Sequence, residues 1–260
     1  MAAELRTPRL AVLIDADNAS SRIAPGLFQE ITMIGEASVR RIYGDFSGTK
    51  LKSWVDVLST HAIMPHQNFA YTSGKNASDI ALVIDAMDLL HSGRFDGFCL
   101  VSSDSDFTRL AARIREQGVD VYGFGEQKTP ESFRQACRKF VYTENLLPGA
   151  PASDRPERSG ARPASAIRPP SEATPLIRTA IAQLDDEDGW VPLGRVGQRL
   201  AILASDFDPR SYGQTKLGDL VMKSGAFEVR RNDAGGVYIR VKPTARRRSA
   251  SGKKRPPPAA

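Results

Sequence analysis

Cysteine and histidine are both scarce in this sequence: Cys99 and Cys137, and His61, His66 and His91, among 260 residues. Neither cysteine belongs to a Cys-x-x-Cys pair, so no disulfide framework is expected, and a reducing, cytoplasmic setting fits. The histidines lack the spacing of zinc ligands, which argues against a transition-metal site built on His or Cys. No apolar run approaches the roughly 18 residues of a membrane span. The stretch MAAELRTPRL lacks the cationic and apolar blocks of a secretory signal. Also missing is any charge excess in the body of the chain. The formal net charge is +6, yet six of the 36 Lys and Arg lie in the last eighteen residues, PTARRRSASGKKRPPPAA, leaving 30 basic against 30 acidic residues. Such a tail, with Arg246, Arg247 and Arg248 in its first half, either meets polyanions, nucleic acid above all, or merely keeps the chain soluble.

What is present is an alternation of two periodicities. Strands are expected over 9–15, 37–46, 62–69, 97–103 and 119–125, and helices over 23–35, 51–61, 76–93, 106–118 and 131–140. Pro65 puts the strand AIMPHQNF near an edge or a strand end. The helix over 76–93 carries Ile80, Leu82, Val83, Ile84, Met87 and Leu90 over a wide arc and is expected to be well buried. Strand and helix repeating in this way give an α/β domain with a doubly wound parallel sheet over residues 1–147. Residues 148–171, dense in Pro, Ala and Ser, read as a flexible linker that leaves the folded parts independent. Over 172–242, three helical patterns and the hairpin AFEVRRNDAGGVYIRV lay out a small winged-helix domain. Residues 243–260 read as a disordered basic tail.

Aspartates recur where apolar runs stop. AVLIDADN ends in Asp15, followed by Asp17 and Asn18; LVSSDSDF brings Asp104 and Asp106; Asp79 opens the long helix and Asp85 follows one stretch later. In an open α/β sheet, ligands bind at the carboxyl ends of the strands, where Asp15 and Asp104 fall. Several carboxylates in one cleft repel unless a cation sits among them, and oxygen ligands without His or Cys select Mg²⁺ or Mn²⁺. Asn18 can hold a water or a phosphate oxygen, and Lys75 can balance surplus charge. The competing reading is that Asp17, Asp79 and Asp106 are helix caps. Capping suits Asp15 and Asp104 less well, because a cap normally lies a residue or more beyond the strand. Asp88 reads as a solvated face residue, while Asp85 stays open.

AVLIDADN, KNASDIALVIDAMDLL and LVSSDSDFTRLAARIREQGVDVYGFG, in this order, resemble the NYN domain family of PIN-like ribonucleases over most of residues 9–145. The resemblance implies a metal-dependent ribonuclease of endonucleolytic type, with Asp15, Asp79, Asp104 and Asp106 as metal-binding acids and Asn18 beside the first. Ser103 stands where family members often have glycine. WVPLGRVGQRL, SDFDPRSYGQTKLGDLVMKSGAFEV and the closing hairpin resemble the OST-HTH/LOTUS family, a winged helix associated with RNA binding. In that reading Phe207, Tyr212 and Leu217 are core residues. Arg210, Lys216, Lys223, Arg230 and Arg231 are then exposed candidates for phosphate contact, with a protein partner as the other use of the domain. Two further functions fit the residues. One is a phosphatase of the haloacid dehalogenase type with Asp15 as nucleophile, against which Asn18-Ala19-Ser20 counts; the other is a non-catalytic RNA-binding adaptor.

Overall fold

The computed structural model describes residues 6–68, 77–147, 167–184, 189–232 and 235–242. Six strands make one parallel sheet: β1 (Arg9–Asp15), β2 (Glu36–Gly44), β3 (Met64–Gln67), β4 (Gly97–Val101), β5 (Asp120–Gly125) and β6 (Lys139–Tyr142). The helices between them are α1 (Ala24–Thr32), α2 (Lys52–Leu58), α3 (Ala77–His91), α4 (Thr108–Glu116) and α5 (Glu131–Ala136). Leu10 through Ile14 are fully buried, as the unbroken apolar run of a central parallel strand requires. Leu10, Val12 and Ile14 pack with Leu27, Ile31 and Trp54 from α1 and α2. Ala11 and Leu13 face the opposite way, into Leu82, Ala86, Leu110, Ile114 and Phe133 from α3, α4 and α5. The sheet is thus covered by helices on both faces, as the strand–helix alternation demands.

The strand order is β3-β2-β1-β4-β5-β6. The chain runs outward from β1 to β3, then returns to β4 beside β1 and runs outward the other way. A crevice at the carboxyl ends of β1 and β4 is the geometric result of that reversal. Pro65 sits in the edge strand β3, opposite Ile42.

Two expectations about the first region need correction. The helix expected over 131–140 stops at Ala136, and Lys139–Tyr142 forms a sixth strand. Cys137 turns to extended backbone, the Arg138 N–H donates to the Val121 carbonyl at 2.8 Å, and Phe140 and Val141 are buried on the two faces of the sheet. Nor is α3 buried over its whole apolar arc. Leu82, Ala86, Leu89 and Leu90 pack inward, while Ile80 is 60% and Ile84 56% exposed.

The second region holds α6 (Thr174–Ala182), β7 (Val191–Pro192), α7 (Leu193–Leu203), α8 (Leu217–Ser224), β8 (Phe227–Arg231) and β9 (Val237–Val241). Its sheet is antiparallel, ordered β7-β9-β8, so the expected hairpin gains a short third strand. Ile177, Ala180, Val196, Leu200, Leu220, Val221 and Ile239 form its core. Tyr212 is buried as expected, whereas Phe207 and Leu217 are partly buried and pack against that core.

The two regions also touch, contrary to the independence expected from the linker. The Phe140 N–H donates to the Ser205 carbonyl at 2.8 Å, and Ser205 Oγ donates to the Arg134 carbonyl at 2.6 Å. Asp206 accepts from both Arg134 and the Tyr142 hydroxyl. The free edge of β6 is covered by this interface, which protects it from pairing with other chains.

Candidate active site

Asp15 is the last residue of β1 and only 1% exposed. Its Oδ1 accepts the N–H groups of Asp17 and Asn18 at 3.1 and 3.3 Å. Its Oδ2 accepts from Asn18 Nδ2 at 2.8 Å and from Ser102 Oγ at 2.7 Å. These four donors stabilise the carboxylate form, yet burial outweighs them and its pKa stays above the ordinary aspartate value. The same Ser102 hydroxyl accepts the Asp104 N–H at 3.0 Å, so one buried side chain fastens the end of β1 to the loop after β4.

Asp104 starts a short 3₁₀ turn, Ser105–Phe107, and its Oδ1 accepts the Asp106 N–H at 2.9 Å. It therefore does act as a cap, although its place at a strand end suits one poorly. Asp106 lies within that turn and is exposed. Ser103, the residue at the family's glycine position, accepts the Glu126 N–H at 2.8 Å and ties this loop to the end of β5. Asp79 sits in the first turn of α3. Burial first, and then the charges of Asp15, Asp104, Asp17 and Asp106, push its pKa up to about 6. Among the expected acids, Asp15, Asp104 and Asp106 thus act on Asp79 through their charges, and Asp17 does so as well.

Several contributors carry no mark in the sequence. Lys50 donates to Asp17 at 2.6 Å, and the bond raises the lysine pKa further, with Asp15 adding to it. Ser78 Oγ reaches the other Asp17 oxygen at 3.3 Å. Lys50 thus offsets charge at Asp17; Lys75, of which a charge-balancing role is expected, lies outside the described residues. Only its strand-end position hints at Ser102, and nothing local marks Lys50. Asp85 is elsewhere: it accepts from Arg41 at 2.8 Å and from the Tyr43 hydroxyl at 2.7 Å, with His66 Nδ1 at 3.4 Å. Asp88 is exposed, as expected.

Of the basic candidates, Lys216, Lys223, Arg230 and Arg231 are exposed. Arg210 is not. It pairs with Asp208 at 2.6 Å and crosses to Glu30 of α1 at 3.0 Å, with its side chain 20% exposed. Burial works to raise the Glu30 pKa, but Lys139 and Arg210 together hold it below the ordinary value. Arg246, Arg247 and Arg248 lie outside the described residues.

The donor set, hard carboxylate oxygens with their negative charge only partly offset, has the chemistry of a divalent-cation site. Among the described residues, no three His, Cys, Asp or Glu side chains are drawn together tightly enough to hold an ion. No helix among them is long and apolar enough to cross a membrane.

A PIN-like α/β domain with acids at its switch point, followed by a winged helix, defines a class, and the family models give it a name. Residues 9–146 match the NYN domain and residues 168–239 the OST-HTH/LOTUS domain. The chain belongs to the NYN domain family and carries an OST-HTH/LOTUS domain after it. NYN domains are generally metal-dependent ribonucleases, and OST-HTH domains bind RNA. Among solved structures, the chain is similar to a protein of unknown function from Vibrio parahaemolyticus, at 18% identity and a TM-score of 0.48, over 56% of this chain and 99% of that one. It is also similar to an uncharacterised protein from Nitrosomonas europaea, at 31% identity and a TM-score of 0.27, over 35% of this chain and 90% of that one. No curated protein matches it.

Proposed function

We propose that this protein is a cytoplasmic ribonuclease that hydrolyses RNA phosphodiester bonds with Mg²⁺ or Mn²⁺ at the carboxyl ends of β1 and β4. The observation that carries this reading is the placement of acids at one end of the sheet: Asp15 ends β1, Asp104 follows the adjacent β4 and Asp79 opens α3, where burial and then the charges of Asp15, Asp104, Asp17 and Asp106 push it up to about 6. Asp15, Asp79, Asp104 and Asp106 are the residues to hold the ion, with Asn18 beside them. A bound divalent cation supplies water activation and neutralises charge on the phosphate oxygens. The chain's own residues set up the site. Ser102 and Asn18 fix the Asp15 carboxylate, and Lys50 offsets the charge of Asp17. Asp79 holds a proton below about pH 6 when the site has no cation and must release it to become a ligand. Lys216, Lys223, Arg230, Arg231 and the tail arginines capture the strand through its phosphates.

The open spacing of the acids favours a second reading, an RNA-binding adaptor without turnover. The phosphatase reading loses ground, because Asp15 is buried and both its oxygens already accept two hydrogen bonds each. The deciding experiment incubates the full chain and Asp104→Asn with an end-labelled mixed RNA pool in Mg²⁺, Mn²⁺ or chelator. Cleavage by the parent with metal, reduced by orders of magnitude in the variant, is expected; asparagine keeps the cap. Cleavage that persists unchanged in the variant refutes the metal-site assignment, and none by the parent favours the adaptor. Mapping the new ends separates endonucleolytic from exonucleolytic cutting.

A further inference from the structure

The three-stranded sheet of the second region has one face in the core and one face outward. Val191 and Ile239 pair across β7 and β9 and are buried in the core. Alternation then turns Pro192, Tyr238 and Arg230, which are neighbours in register across β7, β9 and β8, to the outer face. One rung further along lie Arg240 and its partner Glu228. Trp190, just before β7, joins them. The Arg230 and Arg240 guanidiniums each lie 4.7 Å from its ring centroid, and Arg230 is also 5.9 Å from the Tyr238 ring. Arg240 is held to Glu228, with Nε at 3.1 Å. Arg230 is exposed, Trp190 and Tyr238 are half-buried, and Arg230 enters no ion pair with a described residue.

This combination has a recognisable chemistry. Two rings and two planar cations, with one carboxylate among them, give a face that is aromatic and net positive. Single-stranded nucleic acid is bound by such faces. Bases stack on rings or guanidinium planes, and phosphates meet the cations, in a way tolerant of sequence. Arg230, beside two rings and with no acid among the described residues, has a cation left for a phosphate.

We infer that the outer face of β7-β9-β8, built on Trp190, Tyr238, Arg230 and Arg240, is the surface on which this domain stacks an unpaired base of single-stranded RNA. The inference rests on RNA binding by the OST-HTH domain and is separate from catalysis at the aspartates. It places a base on the sheet and leaves the exposed Lys216 and Lys223 of α8 and its N-terminus to phosphate contacts.

Tryptophan fluorescence tests it. The chain has two tryptophans, and Trp54 is 1% exposed in the first core, so a signal that follows RNA comes from Trp190. The full chain in chelator is titrated with an unstructured oligo(U) and with a base-free phosphodiester strand of equal length. RNA is expected to change the emission and the base-free strand is not. Arg230→Gln and Trp190→Leu are each expected to weaken oligo(U) binding about tenfold, as removal of one stacked base does. Trp190→Phe, which keeps a ring, should retain most of the affinity, measured by anisotropy of labelled RNA. Melting curves accompany each variant, and the exposed Arg230→Gln is expected to fold as the parent does. Equal binding of the two strands, unchanged affinity in Arg230→Gln, or no RNA binding by the parent overturns the inference. The last outcome reassigns the face to a protein. Asp104→Asn is expected to lose RNA cleavage with Mn²⁺ and still to give the parent's Trp190 emission change and affinity with oligo(U), so a failed stacking surface and a failed nuclease site give different results.

Discussion

Replacing Asp79 by asparagine should stabilise the protein when no metal is present, increasingly as pH rises from about 4 to above about 6. The Asp79 carboxyl titrates at about 6 in the fold against 3.8 when unperturbed, because burial and then the charges of Asp15, Asp104, Asp17 and Asp106 disfavour its ionised form. The folded chain therefore binds a proton between those values that the unfolded chain has released. Stability from that proton is complete below about pH 4, is lost as pH rises through about 6, and leaves an ionised, repelled carboxylate above pH 7. Converted without screening, the difference corresponds to about 3 kcal/mol. Asp79 is only half-buried, and screening by solvent reduces this to about 1 kcal/mol. The favourable effect of an acid in the first turn of a helix is already contained in the net upward direction. The variant should then melt about 2–4 °C above the parent near pH 7.5 in chelator. That gap should close by about pH 4, where Asp79 is protonated in the parent. Millimolar Mn²⁺ should reverse the order, because a cation that binds only the folded state raises the melting temperature of the parent more than that of a variant with one fewer ligand. Circular dichroism melts across pH, with and without metal, give all these readings. A variant less stable than the parent at neutral pH in chelator, or one with an identical response to Mn²⁺, refutes the reasoning.

Other expectations concern parts of the chain distant from these acids. Arg210→Ala should cost about 2 kcal/mol in urea unfolding, since it leaves Glu30 and Asp208 without their shared partner; a parent-like midpoint would show that the ion pair between the two regions contributes nothing. A chain ending at Leu147 should be less stable than the same region in the whole protein and prone to self-associate, which light scattering would detect, because Phe140 loses its bond to Ser205. Burial pushes both thiols up, Cys137 to about 12, so neither Cys99 nor Cys137 should react with a thiol reagent at neutral pH until the chain unfolds. Removal of the tail after Lys242 should flatten the salt dependence of RNA affinity, since fewer phosphates are then neutralised and each one releases roughly 0.7 counterions from a single strand.

The sequence is legible where a signal is local and illegible where a distant partner decides. β1 can be read to the residue because five consecutive apolar positions at the centre of a parallel sheet admit no other periodicity. Asp15 and Asp104 stand out for the same reason, each lying where such a run stops. The sixth strand is hidden because ESFRQACRKF keeps helical spacing to its end; extended backbone wins there only once Arg138 finds Val121 and Ser205 closes the edge. Counting apolar residues on α3 does not reveal which of them find a neighbour, so Ile80 and Ile84 are expected inside and lie outside. Arg210 reads locally as an exposed cation after Phe-Asp-Pro, yet Glu30, the residue it meets, is 180 positions away. The site combines both kinds of information. Its acids are each announced by a strand end or a helix start, but the parts that hold them are long-range: Ser102 reaches Asp15 across 87 residues, and Lys50 reaches Asp17 across 33. The positions of the acids at strand ends are therefore readable from spacing alone, whereas the contacts that hold them are a property of the fold. Substitution at Ser102 or Lys50 should accordingly alter the site's charge and orientation while leaving intact every motif by which the site is recognised.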